Sequence, residues 1–158
     1  MRPLKLMDKT FEILTVLCFV GIILIVSLQI LTRFIPFSAV WTEELTRFLF
    51  LYAVAFGAPL AMKRKEFINI DFIYKIIPNK ILPYYQALLY VIVIITCFSI
   101  AYQGYKFMLI GKGQTSATMA IEMSWIHASI GVSVLFIGVY AILNIIELFT
   151  STRKEGEN

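Results

Sequence analysis

The sequence predicts an all-α integral membrane protein with four transmembrane helices. Of its 158 residues, 59% are hydrophobic, a share above that of soluble domains. Four apolar runs each reach the roughly 20 residues that a helix needs to cross a bilayer. They cover residues 11–32, 42–62, 82–105 and 124–149. Little chain is left for a region outside the membrane, so residues 1–158 are predicted to form a single membrane domain.

The distribution of positive charge predicts how these helices are oriented. Ten of the fourteen Lys and Arg residues lie in the N-terminal segment, the loop between the second and third runs, and the C-terminal tail. Cytoplasmic loops carry such an excess, so both termini are predicted to be cytoplasmic, in an N-in/C-in arrangement. The excess positive charge, +4 overall, then lies on the membrane face where anionic lipid attracts basic residues. It does not require a nucleic-acid partner, and none is predicted.

The first run is too long for a signal-peptide core and no small-residue cleavage site follows it, which predicts a retained helix.

The second helix opens with a charged cluster. Trp41 is typical of a membrane interface, and Thr42 is predicted to cap the helix. Glu43 and Glu44 suit the positive end of the helix dipole. Arg47 lies one turn deeper and needs a carboxylate partner, either Glu43 at i,i+4 or Glu44 at i,i+3. The cluster predicts a subunit contact or ion pair, with a direct part in transport as the alternative.

Small residues follow on the face of this helix that carries Glu43 and Arg47. Ala53, Gly57 and Ala61 form two overlapping small-xxx-small steps, which allow another membrane helix to approach closely. They predict a packing groove for a neighbouring subunit.

The loop before the third helix is predicted to contain an interfacial amphipathic helix at about residues 67–78. Its apolar residues recur at helical spacing, and Asp71 and Lys75 form an i,i+4 pair on the opposite side. The segment is too short and too charged to span, which favours a position in the cytoplasmic interface. Either lipid anchoring or docking onto another subunit would explain it. The residues predicted to contact lipid are Lys63, Arg64, Lys65, Asp71 and Lys75.

The loop between the third and fourth helices, predicted at residues 106–123, is the longest segment on the far side of the membrane. Because exposed loops commonly carry binding residues, Lys106, Lys112 and Glu122 are predicted to dock an external partner. In the fourth helix, His127 has no second ligand residue near it and is predicted to be interfacial. The sequence shows no paired cysteines, metal-ligand spacing or cofactor motif, so no catalytic residue, metal or cofactor is predicted.

The cluster at the second helix and the segment after it share their spacing with one family of membrane proteins. The matching positions are Trp41-x-Glu43-Glu44-x-x-Arg47, Gly57 and Ile68-x-Ile70-Asp71. Over nearly the whole chain this pattern resembles the DctQ-like small membrane subunits of tripartite ATP-independent periplasmic (TRAP) transporters. Two positions depart from the family pattern: Phe67 stands where a histidine is usual, and no proline occurs near residues 130–131.

The resemblance implies a partner-dependent transport protein of the bacterial inner membrane, not an enzyme. In such systems a periplasmic binding protein captures an organic acid, such as a C4-dicarboxylate or sialic acid. A large membrane subunit then moves it with sodium ions by an elevator-like motion, and the small subunit braces the large one. The alternative is a self-sufficient homo-oligomeric transporter or proton-linked channel that uses Glu43, Glu44 and Arg47 as its ion path.

Overall fold

A computed structural model describes residues 2–34, 39–66 and 81–155 of the protein. Within these residues the chain forms four α-helices and, apart from one isolated bridge, no strand. All four helices are long and apolar enough to cross a membrane, which confirms the predicted fold class. Their bounds are Arg2–Thr32 (α1), Trp41–Lys63 (α2), Leu82–Ile110 (α3) and Met123–Glu155 (α4).

Two predictions about the segments between helices need comment. The third helix continues to Ile110, so Lys106 lies in α3 and its placement in the outer loop was wrong. The apolar sequence Phe107–Ile110 extends the helix because these residues have no turn former among them; the first glycine is Gly111. The predicted interfacial helix at 67–78 lies outside the described residues, and it stays a prediction, as does the orientation of the chain.

The four helices form an open row instead of a closed bundle. Extensive contacts join α1 with α2, α2 with α4, and α4 with α3. Among the described residues no comparable contact joins α1 to α3, so these two helices lie at opposite edges of the row. We call the end at which α1 begins and α2 ends the inner end, and the end at which α2 begins the outer end.

The buried core lies toward the inner end. Met62 and Ala141 are completely buried, and Tyr140 nearly so. Phe11 of α1 packs edge-on against Phe136 of α4, with ring centroids 4.7 Å apart. Edge-to-face packing places the positive ring edge on the negative ring face and adds to the gain from burial. The inner end is therefore where α1, α2 and α4 meet.

Candidate functional site

The ion pair predicted in α2 joins Arg47 to Glu43. Arg47 Nη2 lies 2.7 Å from Glu43 Oε1, one helical turn away. The side chains are 74% and 65% exposed, respectively, so the pair lies open at the outer end of the row. Helix α2 begins at Trp41, which is also exposed. Thr42 does not cap the helix, contrary to prediction: it is buried, and its hydroxyl donates to the Ala39 carbonyl at 2.7 Å.

Glu44 points away from Arg47 and binds the loop between α3 and α4. Its Oε1 accepts the backbone N–H of Ala117 at 3.2 Å, and its Oε2 accepts the backbone N–H of Thr118 at 3.0 Å. The Thr118 hydroxyl also donates to Oε2. Helical spacing would allow Arg47 to pair with either carboxylate, and the structure pairs it with Glu43. The acidic pair therefore divides into a carboxylate that pairs with Arg47 and one that holds the loop.

The outer loop, residues 111–122, is closed by its own hydrogen bonds. Ser116 N–H donates to the Ile121 carbonyl at 2.8 Å, and Met123 N–H donates to the Gln114 carbonyl at 2.8 Å. The buried Ser116 hydroxyl accepts the backbone N–H of Met119 at 3.2 Å. Ala120 has φ 53°, a left-handed conformation that costs a non-glycine residue about 1–2 kcal/mol. The loop is thus a folded unit with a tight tip and not an extended connection.

Gly111 seats this loop against α4. A Cβ at this position would lie 2.6 Å from His127 Nδ1 and 2.8 Å from the backbone nitrogen of Ser124, so a side chain would force the chain apart. His127 stacks on the Phe107 ring with centroids 3.8 Å apart, and its Nδ1 lies 3.2 Å from the Phe107 carbonyl oxygen. The histidine therefore joins the end of α3 to the start of α4.

The three residues predicted to dock an external partner lie on different elements. Lys106 is in α3, with its ammonium 4.4 Å from the centre of the Tyr102 ring. Lys112 is exposed at the start of the outer loop. Glu122 is half-buried at the end of the loop, where its backbone forms an isolated antiparallel β-bridge with Thr115. Their docking role stays a prediction.

The small residues of α2 have a neighbour within this chain. Ala53 is 1% exposed. A Cβ added at Gly57 would lie 3.5 Å from Cγ2 of Thr15 in α1, an ordinary packing distance. Ala61 is half-buried. Gly57 thus faces α1, and a contact between these residues and another subunit stays a prediction.

At the inner end, α2 stops in a turn that spreads three basic side chains. The N–H of Glu66 donates to the Ala61 carbonyl at 3.0 Å, and Lys65 takes φ 61°. This 6→1 bond with a left-handed residue before it is the Schellman arrangement, in which glycine usually holds the position of Lys65. Lys63 and Arg64 project toward α1, and Lys65, beyond the sharp turn of the backbone, projects toward α4.

Each of these basic residues meets an acid of another helix. Lys63 pairs with Asp8 of α1, whose side chain is only 14% exposed. Arg64 Nη2 lies 3.3 Å from Oε1 of Glu12, also in α1. Lys65 Nζ lies 3.4 Å from Oε1 of Glu147 in α4. The basic side chains are 42–58% exposed, so lipid contact at Lys63, Arg64 and Lys65 stays a prediction. Asp71 and Lys75 lie outside the described residues.

Two polar side chains of α4 complete this inner cluster. The Tyr140 hydroxyl donates to Asp8 Oδ1 at 2.5 Å, so Asp8 joins three helices. The buried Asn144 amide donates to the Met62 carbonyl at 2.8 Å. That carbonyl lies in the last turn of α2, where the helix leaves carbonyl groups without a helical partner. The same carbonyl accepts the backbone N–H of Lys65 at 3.1 Å, so Asn144 adds a second donor and ties α4 to the end of α2.

Sequence reasoning missed the inner cluster and the partner of Glu44. Asp8 and Glu12 are four residues apart, which places both on one face of α1 facing the basic end of α2. Two acidic residues on α1 and three basic residues at the end of α2 could have predicted ion pairs between these helices. Nothing in the pattern of residues 111–122 indicated that the N–H groups of Ala117 and Thr118 would meet Glu44.

The fold and the paired charges at both ends define a small multi-pass helical membrane protein. The part of the chain that the structure describes contains no cluster of His, Cys, Asp and Glu suited to a metal ion. Residues 22–151 match the family of tripartite ATP-independent periplasmic transporters, DctQ component, and the chain belongs to that family. It is a small permease subunit of a TRAP transporter and a multi-pass protein of the inner membrane.

Three relatives show how this similarity is distributed. The sialic acid TRAP transporter small permease protein SiaQ of Vibrio cholerae is 28% identical, and the match covers 91% of this chain and 86% of the length of SiaQ. The sialic acid TRAP transporter permease protein SiaT of Haemophilus influenzae is 27% identical, over 98% of this chain but 25% of its own. The isethionate TRAP transporter permease protein DctMQ of Oleidesulfovibrio alaskensis is 35% identical, over 37% of this chain and 10% of its own.

Proposed function

We propose that this chain serves a sodium-coupled TRAP importer of an organic acid, either a C4-dicarboxylate or a sugar acid such as sialic acid. In this proposal it braces the large elevator-type subunit and helps to dock the periplasmic binding protein. Sialic acid is favoured among the substrates because two of the similar proteins are named for it, while a third is named for isethionate.

The observation that carries the bracing role is the open row of helices. The most apolar 18-residue window of α1 has no buried residue, and that of α3 is only 17% buried. Apolar faces this large are covered by lipid or by another membrane chain. The longer SiaT protein supports the second possibility, because a region like this chain makes up only a quarter of it. Association with a large TRAP subunit would cover one of these faces.

The position of the charges supports a bracing role over a substrate site. Residues 13–32, 48–62, 82–105 and 123–146 contain no Asp, Glu, Lys or Arg. Transporter sites near the middle of a membrane are built from polar or charged groups and broken helices. In the part of the chain that the structure describes, the charged groups lie toward the helix ends or between helices, as where Glu43 pairs with Arg47 and Glu44 binds a loop. Substrate and sodium would therefore be held by the large subunit.

Uptake by reconstituted vesicles tests this function. Vesicles containing this chain and the large subunit, with binding protein outside, should accumulate sialic acid or succinate when a sodium gradient is imposed. Omitting any one of the three proteins should abolish uptake. Uptake by this chain alone would favour the homo-oligomeric transporter, and uptake without it would contradict the bracing role.

A further inference from the structure

We infer that Glu44 is a positioning residue that holds the tip of the outer loop in the conformation recognised by the periplasmic binding protein. The inference rests on the docking role proposed above. It concerns a residue that touches neither substrate nor sodium in that proposal. Glu44 would act through the loop, and its effect would therefore appear in how strongly the binding protein docks.

The geometry at Glu44 is that of a clamp with both carboxylate oxygens in use. One oxygen accepts from Ala117, and the other accepts twice from Thr118. Hydrogen bonds to an ionised acceptor are roughly twice as strong as neutral ones. The partners lie 73 and 74 residues along the chain, so the clamp fixes the loop to α2 and not merely to itself.

The bonds to Glu44 tie the tip of the loop to another element, whereas the Ser116 hydroxyl, which accepts from Met119 and Ile121, bonds only within the loop. Its internal bonds from Ser116 to Ile121 and from Met123 to Gln114 close its base. The tip beyond them includes Ala120, whose left-handed backbone conformation is disfavoured for a residue with a Cβ. Without its hydrogen bonds to Glu44, the tip of the loop would adopt a wider range of conformations. A binding surface that must first be ordered binds its partner more weakly than one already ordered.

The tip is also accessible. Ala117, Thr118 and Ala120 are exposed, as are Lys112 and Thr115 on the flanks of the loop. Glu44 itself is half-buried, on α2. The exposed loop thus supplies the contact surface, while Glu44 fixes its shape.

Two measurements on the complex with the large subunit test the inference. The first is the mobility of a spin label attached at Ala117→Cys, after Cys18 and Cys97 are replaced by alanine. The label should be immobile when Glu44 is present and mobile in Glu44→Ala. Glu44→Gln should be intermediate, because its carbonyl oxygen can still accept from the loop whereas its NH2 group cannot. Thr46→Val is the matched control, since the Thr46 hydroxyl donates to the Thr42 carbonyl of its own helix, at 2.8 Å, and not to the loop.

The second measurement is vesicle uptake at increasing concentrations of binding protein, with unlabelled proteins. Glu44→Ala should raise the half-saturating concentration about threefold to tenfold, as expected if a tenth to a third of the loops keep the competent conformation. The maximal rate at saturating binding protein should not change. Thr46→Val should leave both values at the wild-type level. A fall in maximal rate without a change in half-saturation would overturn the inference, because it would indicate a general structural role.

Lys112→Glu separates failure of the inference from failure of docking itself. If Lys112→Glu raises the half-saturating concentration but the label stays immobile in Glu44→Ala, docking stands and the role of Glu44 is wrong. If the label becomes mobile in Glu44→Ala while neither variant changes half-saturation, the binding protein does not use this loop. That result would overturn both the docking proposal and the inference.

Discussion

The two ends of the helix row use their charges in different ways. At the inner end, Lys63 pairs with Asp8 and Lys65 with Glu147, and each pair joins two helices. At the outer end, Glu43 and Arg47 pair within α2 and remain largely exposed. The inner ion pairs join helices to one another, whereas the Glu43–Arg47 pair joins no second element and remains as exposed surface.

The difference follows from how each cluster is solvated. Asp8 is mostly shielded and receives both Lys63 and the Tyr140 hydroxyl, so its loss would leave a buried hydroxyl without its acceptor. When an exposed pair such as Glu43 with Arg47 is broken, water solvates both charges, so little stability is lost. Stability should therefore depend on the inner end, and contact with other proteins on the outer end.

The largest expected effect is a difference in cysteine labelling between the two ends, which are predicted to face opposite sides of the membrane. Cysteine introduced at the exposed Thr115 of the outer loop should react with an impermeant reagent in cells with a permeabilised outer membrane. Cysteine at the exposed Glu66, beside the inner cluster, should react only after the inner membrane is opened. The native Cys18 and Cys97 lie within spanning helices, and a protein carrying only these two supplies the background. Labelling of Glu66→Cys alone in intact inner membranes would invert the assignment of the ends.

Removing the acid at the centre of the inner cluster should give the largest loss of stability. Asp8→Ala takes a partner from Lys63 and leaves the buried Tyr140 hydroxyl unsatisfied, a loss of about 1–3 kcal/mol. The thermal midpoint of the purified protein in detergent measures it. Adding Tyr140→Phe to Asp8→Ala should recover part of the loss, because the unsatisfied hydroxyl is then gone.

Glu12→Ala is the matched control for Asp8→Ala. Its pair with Arg64 is 3.3 Å long and more than half exposed, so its removal should cost only about 0–1 kcal/mol. Equal losses from Glu12→Ala and Asp8→Ala would show that the inner cluster is not organised around Asp8.

The smallest effect on the isolated chain is expected at Arg47. The exposed pair with Glu43 should contribute about 0–1 kcal/mol to stability, so Arg47→Ala should barely change the thermal midpoint. If the large subunit covers the pair, Arg47→Ala should reduce uptake by vesicles containing the complete system. The charge-swapped protein with Arg47→Glu and Glu43→Arg should then recover part of the uptake lost in either single variant. Full uptake by Arg47→Ala would show that the motif only starts the helix and sets topology.

Contacts within one helix were the part of the site that the sequence could predict. The pairing of Arg47 was limited to Glu43 or Glu44 by helical spacing alone, and the structure selects Glu43 at 2.7 Å. The same spacing placed Gly57 on a close-packed face. It could not say which helix would meet that face, because Thr15 lies 42 residues earlier in the chain and belongs to α1.

The sequence by itself determined that four apolar helices cross a membrane, since length and hydrophobicity suffice to specify a spanning segment. It also determined which residues stand together on each helix, because the 3.6-residue period is a local property. Only the tertiary structure decided that the helices form an open row, that Glu44 holds the outer loop, and that Lys63 meets Asp8. The contacts of Glu44 with Thr118 and of Lys63 with Asp8 join residues 74 and 55 positions apart. Their partners are selected by how helices pack side by side, which no local period encodes.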